Sequence, residues 1–279
     1  CGEGAHDGVT LPFPSTQGGH FKFRPGECSI WAGCNGAGKS SLLTMSALHW
    51  LFSEGASNQE EKILIISPEM TPRQNLARLV RQGLALHPDK VTPSKIDKAL
   101  DHFEDRLWIY NHVGNVQKDI LMGLIRYAAR ELGVTQVIFD NITILKFEGD
   151  PMRDQKHFIT DMVEICRDEN IHIHTVAHSR KPESGQRKMV KYDIRGASEQ
   201  SDLVDNVVLI SRNEAKQEAL EQVEHGSDEW KAINAQSDTR LEIAKQRHGD
   251  GWTGAVKLAF WPAQMRWEEN SKRTPEAYF

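Results

Sequence analysis

Residues 33–40, GCNGAGKS, have the residue types and spacing needed to hold a chain of phosphates. Gly33, Gly38, Lys39 and Ser40 satisfy the pattern G-x-x-x-x-G-K-[ST], between an apolar run and a helix-length segment. Glycines let backbone N–H groups approach phosphate oxygens, the lysine neutralises the β- and γ-phosphates, and the serine hydroxyl binds Mg²⁺. This context favours a nucleoside triphosphate site over a structural glycine turn. The predicted nucleotide contacts are Gly33, Asn35, Gly36, Ala37, Gly38, Lys39, Ser40 and Ser41.

Two acidic residues follow apolar runs that are typical of buried strands. Asp140 ends QVIFD, where a carboxylate is predicted to share the Mg²⁺ with Ser40. Glu69 follows ILIISP, where a carboxylate could orient and deprotonate the attacking water. An acid just before a helix is also favoured by the helix dipole. The residues alone leave both interpretations of Glu69 open.

The bulk composition restricts the class of protein. The chain has 279 residues and a formal net charge of −5, so no overall positive field attracts nucleic acid or a membrane surface. No apolar run is long enough to cross a bilayer, and no secretory signal is predicted. The four cysteines have no C-x-x-C spacing, which argues against a zinc ribbon or a redox pair. A reduced, cytoplasmic location is expected, with a bacterial cytosol favoured and an organellar matrix left open.

The segment HIHTVAH places His172, His174 and His178 on one face if it forms a strand. Three such histidines could bind a metal ion. The alternation is the only support for a metal site, so two ordinary strand histidines and one at the strand end are the favoured interpretation.

From residue 28 the chain alternates short apolar runs with helix-length segments, which predicts an α/β fold. Strands are expected at 28–33, 62–67, 107–110, 136–140, 171–177 and 206–211, with helices at 39–53, 71–86, 117–132 and 153–169. This order is typical of a mainly parallel twisted sheet flanked by helices. Runs at 240–246 and 255–261 have no helix between them, so they are expected to add antiparallel strands.

The predicted organisation is a single large domain over residues 28–279. Residues 1–27 are rich in glycine and proline and are expected to form an irregular segment or the remnant of a linker. Residues 213–239 are polar and are expected to form a helical surface insertion.

Several further segments, in order along roughly residues 8–270, resemble one family. They are SPEMTPRQNLAR, VAHSRKP, DIRGASEQSDLVDNVVLISRNE and LEIAKQRHGDGWTG. The chain resembles hexameric replicative helicases of the DnaB type and the helicase half of phage primase-helicases. The resemblance implies a RecA-like P-loop NTPase core, ATP or another NTP with Mg²⁺, and an ATP-dependent DNA helicase activity.

The resemblance also assigns roles to individual residues. It implies that Glu69 is the catalytic base and that His178 senses the γ-phosphate. Lys245 and Arg247, in AKQRHG, are expected to reach the nucleotide of a neighbouring subunit, with Arg247 as an arginine finger. A solvated strand edge is the alternative for these two cations. Approximate placement suggests that Arg212 and Phe260 stack on the base.

The loop after His178 is basic and is expected to contact the phosphates of single-stranded DNA with little sequence preference. Its predicted contacts are Arg180, Lys181, Arg187, Lys188, Lys191 and Gly196. The expected assembly is a homo-oligomer, a hexameric ring, with primase or other replisome proteins as partners and no membrane. Two alternative functions stay open at this point: a RecA-like recombinase or loader that does not unwind DNA, and an NTPase switch that acts independently of DNA.

Overall fold

The computed structural model describes residues 8–17, 20–52, 61–114, 116–142, 151–179, 198–269 and 273–279, without the side chains of residues 151–152 and 198–200. The strands are β1 Cys28–Gly33, β2 Ile63–Ile66, β3 Leu107–Ile109, β4 Gln136–Phe139, β5 His172–His178, β6 Asn206–Arg212, β7 Thr239–Gln246, β8 Gly254–Trp261 and β9 Arg266–Glu268. The α-helices are α1 Lys39–Phe52, α2 Pro72–Leu84, α3 Pro93–Asp101, α4 Lys118–Glu131, α5 Pro151–Glu169, α6 Ser198–Leu203, α7 Glu214–Glu221 and α8 Asp228–Asn234.

The strands form one sheet in the order β3-β2-β4-β5-β1-β6-β7-β8-β9. Strands β3, β2, β4, β5, β1 and β6 run parallel, and β7, β8 and β9 are added antiparallel to their neighbours. This confirms the predicted α/β fold with antiparallel C-terminal strands. The central strand β1 is therefore flanked by β5 and β6.

Burial on both faces explains why the parallel strands read as continuous apolar runs. Every residue of β1 is buried. Trp31 packs into the core on the side of α1 and α2, whereas Ile30 and Ala32 pack into the core on the side of α4 and α5. Successive side chains of one strand thus point to opposite faces of the sheet and pack into two separate hydrophobic layers.

Helix α2 begins at a well-defined position, which fixes the chain just before it. Thr71 caps the helix, its side chain accepting from the backbone N–H of Gln74 while the Gln74 side chain accepts from the N–H of Thr71. Pro72 occupies the first helical position, where no N–H is required. The capping box leaves residues 67–70 as a short turn between β2 and α2, and Glu69 lies in that turn.

The described part of the first 27 residues is irregular, with one 3₁₀ turn and an isolated bridge between Val9 and Phe23. Its apolar side chains are nevertheless buried in the same core as α1. They are Val9, Leu11, Phe13, Phe21 and Phe23. This segment packs as part of the domain, although it contributes no strand to the sheet.

Two of the three strand histidines lie in the core. His172 and His174 stack on each other with ring centroids 4.3 Å apart. His174 stacks on Trp50 and its Nδ1 accepts from the indole N–H of Trp31, at 3.2 Å. His172 contacts the hydroxyl of Ser29 at 2.7 Å. Both side chains are fully buried, so His172 and His174 are core residues.

Three buried histidines, His49, His172 and His174, predict that the fold loses stability in mild acid. Burial lowers the pKa of His49 and of His172 from 6.5 to about 4 and that of His174 well below 6.5. Between pH 6.5 and pH 4 these histidines are protonated in the unfolded chain but stay neutral in the folded chain. The free energy of unfolding therefore falls as the pH is lowered from 6.5 towards 4. Each of His49 and His172 is expected to remove about 3 kcal/mol over that range.

Denaturant unfolding at pH 7.5, 6.5 and 5.5 checks this expectation. Three differential protons give a limiting slope of about 4 kcal/mol per pH unit. The variant His172→Asn should reduce that slope by about one third. A stability that is flat between pH 7.5 and 5.5 would contradict the prediction.

None of the helices in the described ranges is both long and apolar enough to cross a membrane.

Candidate functional site

The predicted phosphate-binding loop, called the phosphate loop below, joins β1 to α1, and two of its glycines are required by close contacts. A Cβ atom on Gly33 would lie 2.4 Å from the carbonyl oxygen of Ile210 on the adjacent strand. Gly38 has φ +93°, and a Cβ atom there would lie 2.5 Å from Cζ2 of Trp267. Both positions exclude any larger residue, so the spacing of glycines in the motif follows from packing as well as from ligand access.

Lys39 is the first residue of α1 and its side chain is only 6% exposed. Its ammonium group donates to the carbonyl oxygens of Gly33 at 2.8 Å and of Cys34 at 2.9 Å, and lies 3.4 Å from Nδ1 of His178. Burial lowers the pKa of Lys39, and the charges of Asp140, Cys34 and Glu69 act in the opposite direction. The structure therefore holds this cation at the mouth of the loop with acids nearby.

The carboxyl ends of four parallel strands bring together, in one cavity, the predicted residues Lys39, Glu69, Asp140 and His178. Strand β1 leads into the phosphate loop, β2 into the turn with Glu69, β4 ends beside Asp140, and β5 ends at His178. The cavity has a volume of about 430 Å³. Its lining comprises Asn35, Gly36, Gly38, Lys39, Ser40, Ser41, Glu69, Arg78, Asp140, Asn141 and His178. Ligand sites outside the carboxyl ends of parallel strands are the rule in such sheets.

Asp140 and Ser40 form the oxygen pair expected of a Mg²⁺ site. Their side chains are hydrogen bonded, and Asp140 is 8% exposed. Burial raises the pKa of Asp140, the Ser40 hydrogen bond and the charges of Arg78 and Lys39 lower it, and the charge of Glu69 raises it. A divalent cation at this carboxylate would offset the cost of burying its charge. The donor set, a hydroxyl and a carboxylate, suits Mg²⁺.

Asn141 connects the predicted base to the predicted sensor, and sequence reasoning missed it. Its side-chain NH₂ donates to Oε1 of Glu69 at 2.7 Å and lies 3.1 Å from Nε2 of His178. The amide has two N–H groups, so it can contact both side chains at the same time. The signal in the sequence was a second polar residue directly after the strand that ends at Asp140.

Arg78 is a second residue that the sequence analysis missed. It lies on α2, lines the phosphate cavity, and its Nη1 atom is buried without a hydrogen-bond partner among the described residues. Burial lowers the pKa of Arg78, and the nearby charge of Asp140 raises it. An orphaned guanidinium N–H beside the phosphate loop fits an anionic ligand, since unsatisfied buried donors are costly.

Lys245 and Arg247 lie elsewhere, at the end of β7, against the carboxyl end of α6. Lys245 donates to the carbonyl oxygens of Ser201, Asp202 and Val204 at 2.7–3.0 Å. The Arg247 guanidinium donates to the carbonyl oxygen of Asp202 at 2.7 Å and pairs with Asp205 at 3.0 Å. Cations at a helix carboxyl end are stabilised by its orphan carbonyl groups and its dipole.

These two cations lie near the amino ends of the parallel strands, whereas the phosphate loop lies at their carboxyl ends. The backbone N–H of Arg247 donates to the backbone carbonyl oxygen of Asp205. The backbone N–H of Asp205 donates to the carbonyl oxygen of Cys28, at the amino end of β1, and the Cys28 N–H donates to the Asp205 carboxylate. The phosphate loop begins at Gly33, the carboxyl end of the same strand. Five strand steps of about 3.3 Å separate the two ends by roughly 16 Å. Arg247 is thus remote from the phosphate site of its own chain.

Arg212 and Phe260 line a second cavity, of about 550 Å³, together with Gly36, Gly38 and Ser41 of the phosphate loop. The two cavities therefore meet at the loop. The predicted DNA contacts, Arg180, Lys181, Arg187, Lys188, Lys191 and Gly196, lie outside the described residues.

One family model and two solved structures match the chain. A family model described as the DnaB-like helicase C-terminal domain matches residues 15–269. The solved structure of a DnaB-like replicative helicase, described with its interactions with primase, aligns with a TM-score of 0.75 and 17% identity over 95% of this chain and 62% of that chain. A second solved structure, described as an ATPase domain, aligns with a TM-score of 0.68 and 15% identity over 88% of this chain and 85% of that chain. No curated protein sequence matches. This chain spans less than two thirds of the length of the DnaB-like helicase structure described above.

Proposed function

Because the chain belongs to the DnaB-like helicase C-terminal domain family, we propose that it is the NTP-driven motor of a ring helicase. In this proposal the motor translocates on single-stranded DNA and separates duplex DNA, in the cytoplasm. The proposed assembly is a homo-oligomeric ring, hexameric as is typical of the family. A primase is proposed as a partner, because one of the similar structures is described with its interactions with primase.

One observation supports this proposal: the proposed phosphate cradle and the proposed arginine finger lie at opposite ends of the parallel strands. The phosphate loop, Glu69 and Asp140 line one cavity, whereas Arg247 lies at the other end of β1, against α6. A surface that offers the cradle and a different surface that offers the cations fit a head-to-tail contact between copies. Such heterologous contacts close into rings when the rotation permits.

In the proposed chemistry the phosphate loop, Lys39 and Arg78 hold the triphosphate, and Ser40 and Asp140 hold Mg²⁺. The metal ion supplies charge neutralisation for the transferred phosphoryl group. Lys39 adds a fixed positive charge at the mouth of the loop, beside the two carbonyl oxygens to which it donates. The small exposed fractions of Lys39 and Asp140 keep water from screening these charges.

Glu69 is proposed to accept the proton of the attacking water, and Asn141 is proposed to position Glu69. The Asn141 side-chain nitrogen lies 2.7 Å from Oε1 of Glu69 and 3.1 Å from Nε2 of His178. Movement of the imidazole would therefore move Asn141 and, through it, change the position of the Glu69 carboxylate. His178 lies 3.4 Å from the ammonium group of Lys39. This arrangement supports a role for His178 as the sensor of the γ-phosphate.

His178 is also proposed to communicate with DNA. The predicted DNA loop lies between His178, the end of β5, and Ser198, the start of α6. The carboxyl end of α6 carries the contacts to Lys245 and Arg247. We propose that this connection couples DNA binding to hydrolysis at the neighbouring copy.

The family membership favours the helicase over both alternative functions, the recombinase or loader and the DNA-independent switch. A forked DNA substrate distinguishes the first alternative, because only a helicase gives NTP-dependent strand separation. The ATPase rate with and without single-stranded DNA distinguishes the second, because a switch would be indifferent to DNA.

The proposal predicts a DNA-stimulated ATPase in assembled protein. The oligomer is first established by light scattering with nucleotide and Mg²⁺, and then ATPase and unwinding are measured on forked DNA. The variant Lys39→Ala should lose both activities, because it removes the loop cation. Assembled protein that hydrolyses ATP at the same rate with and without DNA, and separates no strands, would contradict the proposal.

A further inference from the structure

Asp205 is a buried carboxylate beside the start of β1. It lies between α6 and β6 in the chain and is 1% exposed. Its Oδ2 atom accepts from the backbone N–H of Cys28 at 3.0 Å. Its own backbone N–H donates to the carbonyl oxygen of Cys28 at 2.9 Å. Cys28 is the first residue of β1, so two hydrogen bonds tie Asp205 to the amino end of the central strand.

The second carboxylate oxygen of Asp205 contacts the guanidinium of Arg247, the proposed arginine finger. Oδ1 accepts from Nη1 of Arg247 at 3.0 Å. Nη2 of Arg247 donates to the carbonyl oxygens of Asp202 at 2.7 Å and of Leu203 at 3.3 Å. The backbone N–H of Arg247 also donates to the carbonyl oxygen of Asp205, at 2.9 Å. These contacts fix the start of the Arg247 side chain as well as the orientation of the guanidinium plane.

The guanidinium held in this way can still bind an anion. The Arg247 side chain is 34% exposed, and a guanidinium has N–H donors beyond those engaged by Asp205 and the two carbonyl groups. An arginine side chain loses considerable rotamer freedom when it is ordered. Because Arg247 is ordered within its own chain, that loss does not have to occur when a neighbour's nucleotide arrives. A charge that is oriented in advance also stabilises a developing negative charge without first having to reorient.

Among these acceptors of Arg247, Asp205 is the one that carries a charge. Charge-assisted hydrogen bonds are roughly twice as strong as neutral ones. The Asp205 side chain is 2% exposed, so water and salt screen its pairing with Arg247 only weakly. Removing this charge should therefore release the guanidinium from its fixed orientation, although the carbonyl oxygens of Asp202 and Leu203 remain in place.

We propose that Asp205 is a positioning residue for hydrolysis at the adjacent copy. It holds the Arg247 guanidinium at a fixed place relative to β1, so that the finger meets the neighbour's γ-phosphate already oriented. This inference rests on the proposed function, since it requires that Arg247 acts on a neighbour's nucleotide. Strand β1 carries the phosphate loop at one end and Asp205 at the other, so the finger is also fixed relative to the phosphate loop of its own chain.

The variant Asp205→Asn tests the role of the charge in assembled protein. It keeps a similar shape, and its amide oxygen can still accept from the N–H of Cys28. ATP turnover should fall by about 10²-fold, the effect of misplacing a group by about 1 Å, while ATP affinity stays within a few-fold. In the Arg247→Ala background the same change should reduce turnover no further, because the two residues act as a unit. The control Glu242→Gln removes a carboxylate that pairs with Arg240 on β7 and should keep turnover.

Mixed rings separate positioning of the finger from a general effect on the fold. Asp205→Asn and Glu69→Gln proteins are mixed in equal amounts before assembly. The mixture should recover about a quarter of the single-turnover amplitude at the unmodified rate, since about one interface in four combines an intact Glu69 with a correctly held finger. A defect of Asp205→Asn that acts on its own phosphate site would not be rescued, because every copy with an intact Glu69 would then be impaired.

Normal turnover of Asp205→Asn, a mixture without recovery, or a further loss in the Arg247→Ala background would each overturn the inference. If Asp205→Asn does not assemble by light scattering, the smaller Asp205→Ser gives the same readouts. Failure of both to assemble would make Asp205 a residue of the fold and also overturn the inference. The proposed function fails differently: Arg247→Ala would then hydrolyse ATP normally, or would itself recover nothing when mixed with Glu69→Gln.

Discussion

Replacing Arg247 by alanine is expected to leave nucleotide affinity within a few-fold of the original and to reduce ATP turnover by about 10³- to 10⁵-fold. The guanidinium lies at the amino end of β1, roughly 16 Å along that strand from the phosphate loop of its own chain. It therefore adds little to binding by the isolated chain. In an assembled ring it would stabilise the charge that develops on the γ-phosphate of the adjacent copy.

A structural role for Arg247 has to be separated from this catalytic role. Arg247 pairs with Asp205 at 3.0 Å, so its loss could also weaken the fold. The variant Arg247→Lys keeps a cation for Asp205 but lacks the planar fork of donors. It should restore the melting temperature without restoring turnover. Arg240, on β7 and paired with Glu242, provides the control, and Arg240→Ala should hydrolyse ATP normally.

Replacing Glu69 by glutamine is expected to reduce turnover by about 10²- to 10⁴-fold, the usual contribution of a general base. Asn141 donates to Oε1 of Glu69, and a glutamine oxygen at that position can accept the same hydrogen bond. The geometry should therefore survive while the capacity to take a proton is lost. Nucleotide affinity and assembly are expected to stay close to those of the unmodified protein.

Single-turnover hydrolysis and nucleotide affinity, measured on the same preparation, check this expectation. Glu104→Gln, at an exposed position before β3, serves as the control and should be indistinguishable from the unmodified protein. If Glu69→Gln hydrolyses ATP at the normal rate, Glu69 is only the acid that precedes α2, and the base must be sought elsewhere in the cavity.

The parallel part of the fold could be predicted because each strand is a self-contained apolar run. The runs that became β1, β2, β4 and β5 end within one or two residues of their predicted limits. Three short elements were missed, namely α3, α6 and β9. Helix α6 and strand β9 are too short to show a period. For α3, the helical spacing of Ile96, Ala99 and Leu100 after Pro93 was a local signal that the prediction did not use.

The first 27 residues show how composition can hide packing. Their glycines and prolines predicted an irregular segment, and the backbone is irregular. Val9, Leu11 and Phe13 alternate with polar or small residues, however, and all three are buried. That alternation was visible in the sequence, but nothing local showed which surface would cover it.

At the site, sequence motifs identified the residues that carry strong family patterns and missed those defined only by proximity. Lys39, Glu69 and His178 are far apart in sequence, yet they follow or end parallel strands whose carboxyl ends line the same cavity. Arg78 is separated by three and four residues from Asn75 and Gln82, which are buried polar residues of α2. This polar stripe on a buried helix face was the available signal for Arg78.

The central claim is that one copy supplies the cradle and base while its neighbour supplies Arg247. Mixing the variants Arg247→Ala and Glu69→Gln in equal amounts, before assembly, tests it most directly. Each variant alone should be inactive in a single turnover. In random mixed rings about one interface in four combines an intact Glu69 with an intact Arg247 from the next copy. The account predicts that the mixture recovers about a quarter of the unmodified single-turnover amplitude. A mixture as inactive as its components would contradict it.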